Sequence, residues 1–204
     1  MGRNLYIADW HYGHENILAF DNRPFRTVDE MDEQLIDRWN RVIHRDDKVY
    51  VLGDMFWTKT DVALEVLDKL NGEKYLIKGN HDRCNDSKFK RKFTKICDYD
   101  EIDDCGRKVV LCHYPIPYFK NHFYGWYHLY GHVHVSFEAK MAEHDRYLME
   151  SLYNHQCNMY NVGAMMPWVD YTPRTLDEII GGYNEQKAKT GTFKKSETCR
   201  NEQE

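Results

Sequence analysis

The chain has 204 residues, with 28 lysines and arginines against 33 aspartates and glutamates, giving a formal net charge of −5 with its 11 histidines neutral. That length supports one domain, since roughly 100–200 residues bury a single sizeable core. An acidic balance argues against affinity for long nucleic acid, which needs clustered Lys and Arg. No window reaches the ~18 uninterrupted apolar residues of a membrane span, and Asp9 and His11 come before any signal-peptide core, so no membrane partner and a cytoplasmic location are expected. The six cysteines form no CxxC pair and show no zinc-finger spacing, and read as reduced thiols.

Residues 4–8 (NLYIA) predict the first strand. Thr27 and Glu30 have the spacing of a capping box, and Met31, Leu35, Trp39, Val42 and Ile43 recur at helical spacing through about His44. Residues 48–52 (KVYVL) predict a second strand. Thr60 then caps a helix whose apolar face is Val62, Val66, Leu67 and Leu70 and which stops at Gly72. Residues 74–78 (KYLIK) predict a third strand, completing the alternation of a right-handed crossover unit with a largely parallel sheet. Short strand signals at 94–96, 108–112, 128–130 and 159–162 suit a second sheet packed on the first. Residues 136–158 are too long for a tight connection and are read as a helix around 147–153 or a lid. A last helix is expected over 175–184 with Thr175 as its cap, and residues 185–204 as a mobile tail.

The ends of these strands carry the chemistry. The first runs into Asp9-Trp10-His11, the second into Gly53-Asp54, and the third into Gly79-Asn80-His81-Asp82. The strand at 108–112 runs into His113, and that at 128–130 into Gly131-His132-Val133-His134. In α/β sheets the crevice beyond the carboxyl ends of the strands is where ligands bind, so one site is inferred. Asp9, His11, Asp54, Asn80, His113, His132 and His134 offer oxygen and imidazole donors without a thiolate, which suits Mn2+, Fe, Zn or Ni. Seven donors exceed the needs of one tetrahedral ion and match two divalent ions sharing a carboxylate.

These five pieces, in this order and at these strand ends, resemble the calcineurin-like metallophosphoesterases across roughly residues 3–135, with Asn161-Val162-Gly163 resembling a late strand and turn of the same fold. The resemblance implies an α/β metallophosphoesterase-type four-layer αββα sandwich, two mixed β-sheets flanked by helices, in a single domain over 1–184. It implies that Asp9, His11 and His134 hold one metal and Asn80, His113 and His132 the other, with Asp54 bridging. It further implies hydrolysis of a small phosphate ester, monoester or diester and in some cases nucleotide-like, by hydroxide held between two divalent transition-metal ions, Mn2+ first among them. His81 is then the general acid, a role suited to a group that titrates near neutrality.

One departure stands out. Many family members continue the second motif as GDxxDRG, whereas here Gly53-Asp54 is followed by Met55-Phe56-Trp57-Thr58, so protein phosphatase activity is not expected. Asp82 is then a candidate to orient His81, and Arg23 and Arg83 are candidates to contact phosphate. His14 is either a neighbour of the site or a turn residue. The aromatic run from Tyr118 to Tyr130 is read as a packed surface loop in preference to a stacking wall, and Cys112 as a core residue in preference to a nucleophile. Two alternatives remain: a catalytically weak interaction scaffold of the same fold, and a small nuclease. Sequence leaves the oligomeric state open.

Overall fold

The computed structural model describes residues 2–152 and 154–190. Four strands, β1 (Asn4–Ile7), β2 (Lys48–Val51), β3 (Glu73–Ile77) and β4 (Lys95–Cys97), form the first sheet in sequence order, every pair parallel. Each return crosses through helix: α1 (Ile17–Phe20) and α2 (Val28–Val42) after β1, α3 (Thr60–Lys69) after β2, α4 (Ser87–Lys90) after β3. Such crossovers are what parallel pairing requires, so the mixed pairing expected of both sheets is confined to the second.

That second sheet runs β5 (Tyr99–Asp104), β6 (Arg107–Cys112), β7 (Tyr127–Tyr130) and β8 (Met159–Asn161), with β5 antiparallel to β6 and the other pairs parallel. Strand alternation divides its side chains between two cores. Val109, Leu111, Leu129 and Tyr160 join the cluster that holds Leu5, Ile7, Val49 and Val51 of the first sheet. Val110, Tyr130 and Met159 point the other way, onto Ala142 and Met149 of α5 (Phe137–Leu152). Residues 137–152 therefore form a packed helix, longer than the sequence expectation, and not a lid. Met31, Leu35 and Trp39 of α2 and Ala63, Val66 and Leu67 of α3 belong to the first cluster. Two four-stranded sheets flanked by helices form the expected α/β sandwich.

Local chemistry sets the helix ends. Thr27 Oγ1 accepts the Glu30 N–H (3.1 Å), and the Glu30 carboxylate reaches back to the Arg26 N–H (2.8 Å), one residue earlier than the usual return. Thr60 opens α3 as its first helical residue, and the preceding Lys59 makes no side-chain cap. In α6 (Leu176–Thr190) the capping pair is Thr175 with Glu178, and the helix continues past the expected residue 184. The remainder of the expected tail, 191–204, lies outside the described residues, as does Cys199. The five described cysteines are free. Among the described residues no helix is long and apolar enough to cross a membrane.

Beyond β8 the chain returns to the first sheet. The Ala8 N–H donates to the Val162 carbonyl and the Ala164 N–H to the Ala8 carbonyl, both at 2.8 Å. Asn161-Val162-Gly163 thus lies beside the end of β1 and closes the two sheets over the strand ends.

Candidate metal centre

Each donor singled out in the sequence follows a strand, and five of them, Asp9 (φ 52°), His11 (φ 52°), Asp54 (φ 53°), His132 (φ 70°) and His134 (φ 47°), sit in the left-handed region. Such backbone is costly for residues with a Cβ and persists only where the surroundings fix it, typically at functional sites. Here it turns consecutive side chains inward from short loops. Glycines make the room: a Cβ on Gly53 (φ +88°) would lie 2.3 Å from His113 Nδ1, and one on Gly131 2.6 Å from Asp9 Oδ2.

The donors converge. Asp9, His11 and His134 bring ligand atoms within 4.8 Å of one another, and so do Asp9, Asp54 and His113. Asp54 Oδ2 lies 3.5 Å from His113 Nε2 and 3.9 Å from His11 Nε2, within reach of both groups, while Asp9 is the carboxylate that the two groups share. Asn80 Oδ1 is 3.1 Å from His113 Nε2 and 2.9 Å from His132 Nδ1. All seven residues therefore meet at one place. Asp9, His11, Asp54, His113 and His134 are buried, His132 is half-buried and Asn80 is exposed.

The outer nitrogens of two histidines are already committed. His113 Nδ1 donates to the Leu52 carbonyl (2.7 Å) and His134 Nδ1 to the Asp21 carboxylate (2.8 Å), an arrangement that aims Nε2 at the cluster and strengthens it as a ligand. With Nδ1 so used, neutral His113 turns the acceptor Nε2 toward two further acceptors, Asn80 Oδ1 and Asp54 Oδ2. Three acceptors facing one another call for positive charge among them, and although burial opposes it, Asp54 and Asp9 raise His113 so that a proton, or in its place a cation, fills that need. Burial, with His134 close by, pushes His11 down to about 3, leaving a neutral imidazole. Burial pushes Asp9 up to about 6; it would also raise Asp54, but His113 and the His81 N–H hold that carboxyl at about 2. Buried carboxylates and imidazoles at this spacing, with no thiolate, fit divalent transition-metal ions.

The remaining sequence candidates divide. His81 is at the rim, its side chain 40% exposed, with Nε2 4.0 Å from Asp54 Oδ2 and its N–H on Asp54 Oδ1 (2.9 Å). Asp82 does not orient it. That carboxylate accepts the N–H groups of Asp54 (2.9 Å), Met55 (3.0 Å) and Gly79 (2.8 Å), and so ties the second and third motif loops together. Arg83 lines the adjoining cleft. Arg23 does not: it is buried, donating to the Asp9 (2.8 Å) and Trp10 (2.9 Å) carbonyls and to Asp21 (3.0 and 3.1 Å). Its donors are used inside the protein, so Arg23 supports the first motif loop from beneath, and the expected phosphate contact is withdrawn.

The aromatic surroundings differ from those the sequence suggested. Phe119 is buried against the α5 cluster, as the packed-loop reading expects, whereas Tyr118, Phe123 and Tyr124 are exposed, the first two meeting His122. His128, two residues into β7, is a core group: Nδ1 donates to the Val110 carbonyl, Nε2 accepts the Ile116 N–H, and burial pushes it down to about 4. Cys112 is half-buried and outside both apolar clusters, so it is not the core residue expected, and burial raises its thiol. The aromatics that border the cluster come instead from three separate segments, two loops and the end of α1. Trp57 meets His81 (4.6 Å between ring centroids) and stacks on His14 (4.2 Å, 13° between planes), Tyr114 meets His132 (4.6 Å), and Phe20 meets His134 (5.4 Å). None lies in an aromatic run, so the sequence carried no signal for them beyond Trp57's place after Asp54.

The fold and site together define an α/β sandwich with a histidine and carboxylate cluster, able to hold metal ions, at the carboxyl ends of its strands. No family model matches the sequence. The uncharacterized protein MJ1445 of Methanocaldococcus jannaschii is 37% identical over 182 residues, spanning 87% of this chain and 90% of that protein, and this chain belongs to its family. The gene 66 protein of Mycobacterium phage L5 is 33% identical over 85 residues, 40% of this chain and 41% of that protein. Among solved structures, the protein of unknown function AQ665 from Aquifex aeolicus aligns with a TM-score of 0.66 at 26% identity, over 89% of this chain and 99% of that one.

Proposed function

We propose that this chain is a dimetal phosphoesterase that hydrolyses a small phosphate ester, monoester or diester. The observation that carries the reading is the convergence of all seven strand-end donors, five of them held in left-handed backbone, beside an exposed histidine. Asp9, His11 and His134 would hold one ion, Asn80, His113 and His132 the other, with Asp54 between them. When bound, two such ions lower the pKa of water and neutralise phosphoryl oxygens.

The protein's own residues do the rest. His81 donates a proton to the leaving oxygen from the rim, where solvent can return one. Its main chain is fixed by Asp54 and its ring is braced by Trp57, which stands where other phosphoesterases of this resemblance carry an acidic residue. Asp21 and the Leu52 carbonyl hold two of the ligand imidazoles at a set tautomer. Arg23 and Asp82 keep the first three motif loops in register.

The test is turnover of Mn2+-reconstituted protein on aryl phosphate mono- and diesters, beside His81→Asn. That variant should retain both metals and lose about 100- to 10,000-fold in kcat. Loss of the metals instead would make His81 a ligand. A protein that binds two ions and leaves every ester intact would be a metal-holding scaffold.

A further inference from the structure

We propose that the cleft opening beside His81 receives the leaving group, and that this leaving group is a nucleotide, a planar base joined to a second phosphate. The reaction at its mouth rests on the phosphoesterase reading; the class of ligand rests on the cleft's own residues. The cleft has a volume of about 810 Å³ and is bordered by Asn80 and His81 at the metal-centre end. That volume lies in the range of sites that enclose a small ligand, roughly 300–1,000 Å³. A leaving group protonated by His81 departs on this side.

Two features of the lining select the ligand. Trp57 is 44% exposed although it is the largest kind of side chain, and His14, stacked on it at 4.2 Å, holds the indole in place. Phe56 and Phe89 continue the apolar wall beside it. A fixed indole at the edge of a phosphate site is a platform for a planar ring, because every nucleobase presents a π-face. Lys59 and Arg83 also line the cleft, and among the described residues neither side chain makes an ion pair or hydrogen bond. Two uncommitted cations beside an aromatic platform match a ring that carries an anion. Of the nearby carboxylates, Asp82 is turned to three N–H groups, which leaves Asp61 as the acidic residue on the open lining.

The probe is AMP, the product that such a leaving group would become. It is titrated by calorimetry into the full-length protein stripped of metal with chelator, where no turnover occurs. AMP should bind, adenosine and glycerol 2-phosphate should each bind more weakly, Trp57→Leu should weaken AMP about tenfold or more, and Arg83→Ala should weaken AMP and leave adenosine unchanged. Trp57→Phe should retain most of the affinity. Absence of AMP binding, or equal binding in Trp57→Leu and Arg83→Ala, overturns the proposal. In a second arm, the Mn2+-loaded protein is given adenosine 3′,5′-bisphosphate and glycerol 2-phosphate. A strong preference for the first, collapsing in Trp57→Leu, supports the subsite. Equal turnover of the two refutes the subsite and leaves the phosphoesterase reading standing; AMP binding through Trp57 and Arg83 without turnover of either ester does the reverse.

Discussion

Replacing Arg23 by methionine separates a supporting role from a substrate contact. The Arg23 side chain is fully buried, and the side chain of Asp21, its ion-pair partner at 3.0 Å, is 1% exposed. Methionine matches much of the volume but leaves the Asp21 carboxylate buried with only His134 beside it, and leaves the Asp9 and Trp10 carbonyls without their donor. Breaking a buried ion pair from one side costs about 3–5 kcal/mol, and the two carbonyls belong to the same network, so their loss is not simply added. A loss of about 4 kcal/mol is expected, a large part of the 5–15 kcal/mol of a typical domain. Lysine at 23 keeps the charge but cannot reach both carbonyls and the carboxylate, and should recover part of it. The assay is urea unfolding followed by tryptophan fluorescence, with bound metal measured on the same samples. A solvent-facing phosphate ligand would give a change within about 0.5 kcal/mol and a raised KM; that outcome would refute the supporting role.

Asp47 governs acid stability: burial alone would raise it, but the Arg3 guanidinium and the N–H groups of His44 and Arg3 hold it well below the usual carboxylate range. A depressed carboxyl stabilises the fold above its unfolded pKa near 4, and that stability is lost as pH falls toward the folded value. Unfolding midpoints measured from pH 6 to pH 2 should therefore fall less steeply in Asp47→Ala than in the parent, and parallel curves would contradict the assignment. Gly53→Ala places a Cβ 2.3 Å from His113 Nδ1 and 2.7 Å from Gly79 Cα at φ +88°; thermal denaturation should show a loss of about 3 kcal/mol, with metal content reduced. Asp54→Asn removes a charge from between the two donor groups and should abolish turnover, and turnover within tenfold of the parent would remove Asp54 from the centre.

Much of this arrangement was legible in the sequence because strand ends and donors coincide. A buried parallel strand is a short apolar run, and the first polar residues after it are placed by the sheet itself; Asp9, Asp54, Asn80, His113 and His132 could be read in that way. The edge strand β5 could not, since Tyr99–Asp104 carries four acids and one aliphatic side chain, Ile102, and its exposed edge imposes no apolar pattern. Arg23 was misread because an arginine's fate depends on whether its acceptors are nearby in space, and two of those acceptors are main-chain carbonyls some 13 and 14 positions away. Asp82 was misread for a related reason, two of its partners being N–H groups of another loop, 27 and 28 positions away. The helix over Phe137–Leu152 was underestimated because three large apolar side chains at its start and middle, Phe137, Met141 and Tyr147, are exposed and blur its period.

The measurement that bears most directly on the account is turnover of an aryl phosphate ester as a function of Mn2+ bound per chain, starting from chelator-stripped protein. The donor geometry predicts no turnover without metal and a rise that levels off at two ions per chain. Full turnover at zero ions, or none with two ions bound, would contradict it.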